Sequence, residues 1–295
     1  MLQDVWFWGC KMPKILTYIN NKGRSIQIGY FDPFYLVNFD GGTSTPKIKI
    51  NTSKGSGQDG ESCIGSTIEM RNIVIDFQIE NNYSSNRNLL YSIFIPKSEG
   101  NLIFEQDNIK RKISCRVESL IINDNKIPKT ASISLLCPSP FWEDINSIRN
   151  NIASWLPAFE FPFEIIPDGI EMGQRQLSLV VNVFNNGDIP LGMVVEFKAL
   201  GSVINPSIFD VYKQKELKIN IDMQAGDIIT VSTLYGKKRA ELNRSGIISN
   251  VINALDPDSI FLQFEPGDNL IRYNADQNLN NLEVSIYYTP AYLGV

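Results

Sequence analysis

The sequence predicts a mainly β protein with two domains, and three features of its 295 residues support this prediction. Apolar residues alternate with polar ones over short stretches such as residues 69–79, with the period of a half-buried strand. Residues that favour turns, mainly Gly, Asn, Asp and Pro, separate many of these stretches. The length suits two domains better than one, and we expect the boundary after Ser147.

The first domain, residues 1–147, is expected to be a β-sandwich or barrel with one short helix. Its opening strands form a hairpin around a turn at residues 20–23. The helix is predicted before Pro96, which stops it, with Ser84 or Ser85 as its cap. Its apolar face consists of Leu89, Leu90, Ile93 and Phe94. The expected strands are residues 14–19, 25–28, 33–39, 47–51, 69–79, 102–105, 112–120 and one that ends at Cys137, with a polar loop over residues 51–66.

The second domain, residues 148–295, is predicted to be almost purely β, because many short alternating stretches follow one another with turn signals between them. This spacing is typical of a β-sandwich or jelly roll. Residues 143–155 are polar with sparse apolar positions, and we interpret them as the connection between the domains, with a short helix. The expected strands are residues 163–166, 177–185, 193–199, 207–213, 216–221, 227–233, 238–242, 260–264, 269–273 and 283–288.

The absence of histidine from the sequence excludes the catalytic classes that depend on it. These are His-containing triads, His-based general acid–base catalysis and the usual zinc-hydrolase sites. Catalysis by carboxylates alone stays open, although Asp256 and Asp258 lie in a Pro-containing turn and are better explained by turn chemistry. We therefore expect no catalytic residue, no metal and no cofactor.

The cysteines are far apart in the sequence and form no Cys-x-x-Cys pair. They are Cys10, Cys63, Cys115 and Cys137. This spacing favours small buried thiols over a disulfide framework or a zinc site. Melting of the protein should then be insensitive to a reducing agent.

The charge distribution is uneven along the chain and argues against high-affinity nucleic-acid binding. Residues 1–147 carry 16 basic and 15 acidic side chains, whereas residues 148–295 carry 11 and 17. Neither half has the basic surface that duplex binding requires. No apolar run is long enough to span a bilayer, and the apolar N-terminus lacks the basic region of a secretory signal. We expect synthesis and folding in a cytoplasm and no membrane insertion.

Residues 55–62 come close to the phosphate-binding loop of nucleotide enzymes but do not complete it. Glu61 stands where that pattern requires Lys, and a carboxylate there would repel phosphate. Residues 69–79 after the loop alternate like a strand rather than a helix. Nucleotide binding is therefore rejected.

Residues 57–142 contain a characteristic order of motifs. A Gly-Asp-Gly loop comes first, an Arg-Asn-Ile strand follows at Arg71, and an apolar strand then ends in Cys137-Pro138-Ser139-Pro140-Phe141-Trp142. This order resembles the distal tail protein family of siphophages. Blocks of the second half match the same family, at residues 185–188, 205–208, 226–238, 258–269 and 283–295.

The resemblance implies a structural virion protein of the phage tail tip rather than an enzyme. It implies that the first domain closes a hexameric ring below the tail tube and that the second is a galectin-like β-sandwich. The implied partners are further copies of the chain, the tail tube protein, a tail-associated or tip protein, and receptor-binding or other baseplate proteins.

Candidate subunit-interface residues fall at three places in the first domain. They are Trp6 and Trp8 in the aromatic N-terminus, Gly57, Asp59, Gly60, Glu61 and Arg71 around the Gly-rich loop, and Pro138, Pro140 and Phe141 at the end of the last strand. Three of these features have a plain alternative: a buried edge strand for the tryptophans, a flexible loop for Asp59 and Glu61, and a solvated strand-end charge for Arg71.

Two further functions are open at the level of sequence. The jelly roll of the second domain could read host cell-wall saccharides, with Tyr235, Phe261 and Tyr273 as stacking residues, although core or rim positions explain these rings more simply. An enzyme acting on the same glycans is the weaker alternative, because no acid–base pair is evident.

Overall fold

The structure is a computed structural model that describes residues 13–125, 127–153, 155–157, 173–175 and 180–295. The chain divides into two compact units, Met1–Ile145 with Tyr292–Val295, and Asn146–Ala291. The last four residues therefore belong with the first half of the sequence, whereas the sequence alone placed them with the second. Whether residues 1–147 and 148–295 fold separately stays a prediction.

Unit 1 is a β domain with one α-helix among its described residues. Seven of its strands form an antiparallel sheet in the order β2-β1-β7-β8-β9-β6-β3, and β10 also pairs with β8. Its elements are β1 (Ile15–Asn20), β2 (Ser25–Ile28), β3 (Phe34–Asp40), β4 (Ile48–Ser53), β5 (Ser62–Ile68), β6 (Arg71–Ile79), α1 (Tyr83–Ile93), β7 (Glu99–Gln106), β8 (Ile109–Asn123), β9 (Thr130–Cys137) and β10 (Trp142–Asp144).

The core of unit 1 follows the alternation in its strands. In β6 every second residue is buried, from Ile73 to Ile79, as the sequence predicts. The helix α1 contributes Leu90 and Ile93, and Phe94 just after it stacks on Tyr18 with 4.7 Å between ring centroids. These contacts fix the helix on the sheet.

The start of α1 differs from the prediction. The cap residue is Asn82, in a left-handed conformation (φ 39°), rather than Ser84 or Ser85. Leu89, expected on the apolar face, is 42% exposed. The helix begins one residue before Ser84 because its position is set by the packing of Leu90 and Ile93 rather than by a capping side chain.

The strands β4 and β5 form a separate two-stranded hairpin, which we call the arm. The sequence predicts a polar loop over residues 51–66. This prediction is wrong for the end of that range, where the chain forms β5. Every residue of β4 is exposed, and so is every residue of β5 except half-buried Gly65. A strand with no buried face does not need alternating apolar and polar residues, so this alternation could not predict β5 from the sequence.

The described residues of unit 2 form mainly short strands joined by turns. They are β11 (Ile148–Ala153), β12 (Trp155–Pro157), β13 (Gly173–Arg175), β14 (Val180–Asn185), β15 (Leu191–Gly192), β16 (Val194–Ala199), β17 (Val203–Asp210), β18 (Lys215–Lys218), β19 (Asp222–Met223), β20 (Ile228–Ser232), β21 (Arg239–Arg244), β22 (Ile247–Asn250), β23 (Gln263–Phe264), β24 (Gly267–Gln277) and β25 (Leu282–Tyr288). Two 3₁₀ turns cover Ile252–Ala254 and Leu279–Asn281, and β26 (Ala291–Tyr292) follows.

Two sheets enclose the core of unit 2 and make it a β-sandwich. The first has the order β11-β25-β16-β20-β21-β22, and the second has β14-β24-β17-β18 with β19 beside β17. Fully buried side chains from both sheets belong to one cluster, such as Phe197 and Ile229 from the first and Ile208 and Ile271 from the second. A galectin-like arrangement of this sandwich stays a prediction.

Two elements predicted between residues 143 and 166 are not found as strands or helices of the predicted kind in the described residues. The short helix expected within residues 143–155 is wrong for its described part, where β10 and β11 are strands and Ile152 is fully buried in the core. The strand expected at residues 163–166 lies outside the described residues.

Candidate assembly interface

The arm has an apolar face that is exposed to solvent. Ile48 lies opposite Ile68, and Ile50 follows on the same face. The exposed fractions of Ile48, Ile50 and Ile68 are 58%, 53% and 47%. A lone two-stranded hairpin is only marginally stable in water, so the arm needs a surface on which to pack.

The other face of the arm is polar. Lys49 lies opposite Thr67 on this face. The register then shifts by one residue, and Cys63 pairs with Thr52 towards the tip. Cys63 is exposed, which corrects the prediction that each cysteine is buried.

The tip of the arm contains the predicted interface residues Gly57, Asp59, Gly60 and Glu61, all exposed. Both glycines adopt left-handed conformations, with φ of 74° and 77°, which disfavour other residues. The side chain of Gln58 fixes the turn, since its Oε1 accepts a hydrogen bond from Gly55 N at 3.0 Å. The tip is therefore a defined turn with two outward carboxylates.

Arg71, also predicted at the interface, is buried inside unit 1 with 4% of its surface exposed. Its guanidinium donates only to backbone carbonyls among the described hydrogen bonds. Nε donates to Pro140 (2.8 Å), Nη1 to Gly41 (2.9 Å), Gly42 (3.0 Å) and Ser44 (3.0 Å), and Nη2 to Leu293 (2.5 Å).

This arrangement makes Arg71 a cross-link between segments of its own unit. The charge is stabilised by several carbonyl dipoles, which satisfy the fork of guanidinium donors. Burial lowers the pKa of Arg71 from its usual value, and the neighbouring Cys137 opposes that effect. The alternative of a solvated strand-end charge is therefore wrong, and the guanidinium is occupied within its own chain.

The remaining predicted residues lie around this cross-link. Pro138 is exposed, Pro140 is buried and Phe141 is half-buried. The structure thus brings Arg71 and Pro140 together, whereas the tip of the arm is at the opposite end of β5. Trp6 and Trp8 lie outside the described residues.

A second arginine, which the sequence analysis missed, holds the end of the chain in unit 1. Arg111 lies over the ring of Tyr292, 3.5 Å from its centroid, and donates from Nη1 to the carbonyl of Gly294. The hydroxyl of Tyr292 donates to Asp144 Oδ2 at 3.1 Å. These partners are more than 140 residues apart in the sequence, so no local pattern indicates them.

Unit 1 also has an exposed aromatic patch next to β3. Tyr30 and Tyr35 make an edge contact at 5.6 Å, and they are 51% and 38% exposed. Val37 continues the patch with 56% exposure. The carboxylates of Asp32 and Glu80 meet at its rim, and this contact raises the pKa of Glu80. The patch is therefore apolar with an acidic edge.

The described residues hold no cluster of three or more His, Cys, Asp or Glu side chains that could bind a metal ion. Among these same residues, no helix has the length and apolar character needed to span a membrane.

Two family models match the chain in the order of its units. Residues 21–137 match the phage tail protein RIFT-related domain, and residues 186–292 match the C-terminal domain of the siphovirus-type tail component. The chain belongs to the distal tail protein family of siphophages. A search of curated proteins finds no match.

Solved structures of tail proteins share the fold of this distal tail protein. The Dit protein (gp 19.1) of phage SPP1, described as a paradigm of the hub adsorption apparatus of phages that infect Gram-positive bacteria, aligns with a TM-score of 0.66 at 13% identity. The alignment covers 94% of this chain and 99% of that one. A chain of the activated phage P2 baseplate with Ca aligns with a TM-score of 0.52 at 10% identity, over 96% of this chain and 100% of that one.

Buried asparagines explain two of the sequence blocks by which unit 2 of this distal tail protein resembles its family. Asn185 donates from Nδ2 to the carbonyls of Ile189 (3.0 Å) and Phe264 (3.3 Å) and holds the turn after β14. Asn269 donates to the carbonyls of Glu265 (2.8 Å) and Gly267 (3.0 Å). In each tight loop the side-chain amide donates hydrogen bonds to backbone carbonyls. This satisfies the rule that buried polar groups have hydrogen-bond partners.

Membership of this family assigns the function at a coarse level. The chain is a structural protein of the siphophage tail tip or baseplate, and its place is in the virion. The family is a structural one, and a carbohydrate-binding function is not favoured.

Proposed function

We propose that unit 1 closes a homohexameric ring at the distal end of the tail tube, and that the arm reaches the neighbouring copy. The observation that carries this proposal is the exposed face of Ile48, Ile50 and Ile68 on a hairpin that pairs with no other described strand. Exposed apolar patches of this kind mark protein interfaces.

The aromatic patch beside β3 is the surface proposed to receive the arm of the next copy. The exposed rings of Tyr30 and Tyr35 match the exposed isoleucines on the apolar face of the arm. One copy then offers two different, complementary surfaces. Such heterologous contacts close into a ring when the rotation between copies is right.

The ring is proposed to join the tail tube protein on one side to tail-associated, tip and receptor-binding proteins of the baseplate on the other. Support comes from the similar folds of a hub protein and of a chain in a phage baseplate. Assembly alone is the proposed activity, without catalysis. The chain has no histidine, which agrees with this; turnover of host cell-wall material by the purified protein would contradict it.

The double substitution Ile48→Asp and Ile50→Asp tests the arm. We expect the wild type to form rings that negative-stain images and light scattering detect, alone or with the tail tube protein, and the variant to stay monomeric. Both side chains are more than half exposed, so the melting temperature should be unchanged.

The matched control is the double substitution Ile247→Asp and Ile248→Asp in unit 2, where the side chains are 73% and 67% exposed. This variant should form rings like the wild type. Rings that persist in the arm variant would refute the role of the arm, and rings lost only in the control would move the interface to unit 2.

A further inference from the structure

Two cysteines that the sequence separates lie side by side in the core of unit 1. The pairing of β8 with β9 includes Arg116 opposite Leu136, and the next step of the same register places Cys115 opposite Cys137. Both side chains are free thiols with 2% and 0% exposure in one hydrophobic cluster. Arg71 lies opposite Cys137 on the other neighbouring strand.

The geometry of an antiparallel pair suits a disulfide bond. Residues directly opposite each other have Cα atoms about 4.5–5.5 Å apart, and disulfides span about 4.4–6.8 Å between Cα atoms. Hydrogen bonding to Cys137, followed by burial, raises the pKa of Cys115. The Sγ of Cys115 also lies 3.7 Å from the carbonyl oxygen of Gly100. The sheet would need little movement to form the bond.

We infer that Cys115 and Cys137 are a modification site, a dithiol that a small-molecule disulfide converts into an intrachain disulfide. The inference rests on the structure of unit 1 and is independent of ring formation. A reducing cytoplasm keeps the pair as thiols during synthesis, whereas a released virion meets oxidising conditions. The bond would then cross-link β8 and β9 at the centre of the sheet.

The reaction is a double thiol–disulfide exchange with oxidised glutathione as the oxidant. The Cys137 sulfur attacks one glutathione sulfur, and the other half leaves as glutathione with the proton that Cys137 gives up. Cys115 then attacks the Cys137 sulfur of the mixed disulfide, and the second glutathione leaves with the proton that Cys115 gives up. Two protein thiols are oxidised, one glutathione disulfide is reduced, and the two released glutathione molecules carry the two protons.

The experiment incubates the full chain with oxidised glutathione and follows intact mass and peptide maps. The substitutions Cys10→Ala and Cys63→Ala remove the other thiols without touching the pair. We expect the mass to fall by that of two hydrogen atoms and one cross-linked peptide to contain both Cys115 and Cys137. Because both sulfurs are buried, this product should form more slowly than glutathionylation of Cys63 in the wild type.

The closed loop should also raise the melting temperature of the oxidised chain above that of the reduced chain. The matched control adds Cys115→Ala to the same background and should show neither the mass loss nor the shift. If the cysteine substitutions prevent folding, the peptide map of the oxidised wild type tests the inference by itself. A pair that remains as thiols, or that stops at a mixed disulfide, overturns the inference.

Discussion

The Nε atom of Arg71 donates a hydrogen bond of 2.8 Å to the carbonyl oxygen of Pro140. Proline has no amide hydrogen to give to a sheet, but its carbonyl remains a full acceptor. The bond therefore ties the start of β6 to the turn where the chain leaves β9, and the same guanidinium reaches residues 41–44 and the chain end. One buried cation organises three segments.

Arg71→Met should lower the free energy of unfolding by about 3 kcal/mol or more, because several buried carbonyls lose their donor. Urea unfolding of the full chain measures this. Arg24→Met is the matched control at an exposed position and should change stability by less than about 0.5 kcal/mol. Equal effects of the two substitutions would contradict the role given to Arg71.

In unit 2, Arg244 contacts both carboxylate oxygens of buried Asp227, from Nε at 3.1 and 3.0 Å and from Nη2 at 2.6 Å. The hydrogen bonds from Arg244 hold the pKa of Asp227 below its usual value. A carboxylate with a lowered pKa in the folded state stabilises it above the unfolded pKa, and this contribution disappears as the pH falls through the folded pKa.

Asp227→Asn should therefore cost about 1–2 kcal/mol of stability at pH 7, a range reduced because Arg244 is partly exposed. The difference from wild type should shrink as the pH falls below about 4. Thermal unfolding between pH 7 and pH 3 measures this. Asp258→Asn, at an exposed carboxylate, is the control; a difference that does not vary with pH would argue against the ion pair.

Gly100→Ala should destabilise unit 1 by about 1–3 kcal/mol through overpacking. A Cβ at this position would lie 2.5 Å from the hydroxyl of Tyr18 and 2.7 Å from the carbonyl oxygen of Ile19. Gly65→Ala in the arm is the control, since nothing lies within 4 Å of its Cβ position. Melting temperatures of both variants test this, and an unchanged value for Gly100→Ala would mean that the packing around Tyr18 is looser than described.

Deletion of residues 293–295 should loosen unit 1 while unit 2 stays intact. It removes the carbonyls that accept from Arg71 and Arg111. Hydrogen exchange should rise at residues 41–44 and 138–141, which share the Arg71 cross-link. Leu293→Ala keeps the carbonyl and should leave exchange at these loops near the wild-type level. Protection unchanged by the deletion would show that the chain end is dispensable.

The sequence by itself determined the elements that bury one face. The sequence predicts β6 because Ile73 to Ile79 must face the core at every second position. It predicts α1 because Leu89, Leu90, Ile93 and Phe94 fall on one side, although Leu89 is exposed in the structure. The family also followed from the sequence, since its motifs record turns and strand ends with strict local requirements. Each of these signals spans only a few residues, and the family is indicated by their order along the whole chain.

Elements without such a local signal were misread. The sequence predicts a loop where β5 forms, because neither face of this strand is buried in unit 1 and no alternation marks it. For β11 the sequence predicts part of a short helix, from a polar stretch with sparse apolar positions at Ile145, Ile148 and Ile152. The four-residue spacing of Ile148 and Ile152 places side chains on one face of a helix and of a strand alike. In the structure these residues form a strand that pairs with β25, and Ile152 is buried in the core of unit 2.

Contacts between distant segments were decided only by the tertiary structure. The partners of Arg71 are backbone carbonyls as far away as Leu293, and every residue type has a carbonyl, so no sequence pattern marks them. Cys115 and Cys137 became neighbours only through the register of β8 on β9. Register depends on how the whole sheet packs its core face, and a single strand does not contain that information.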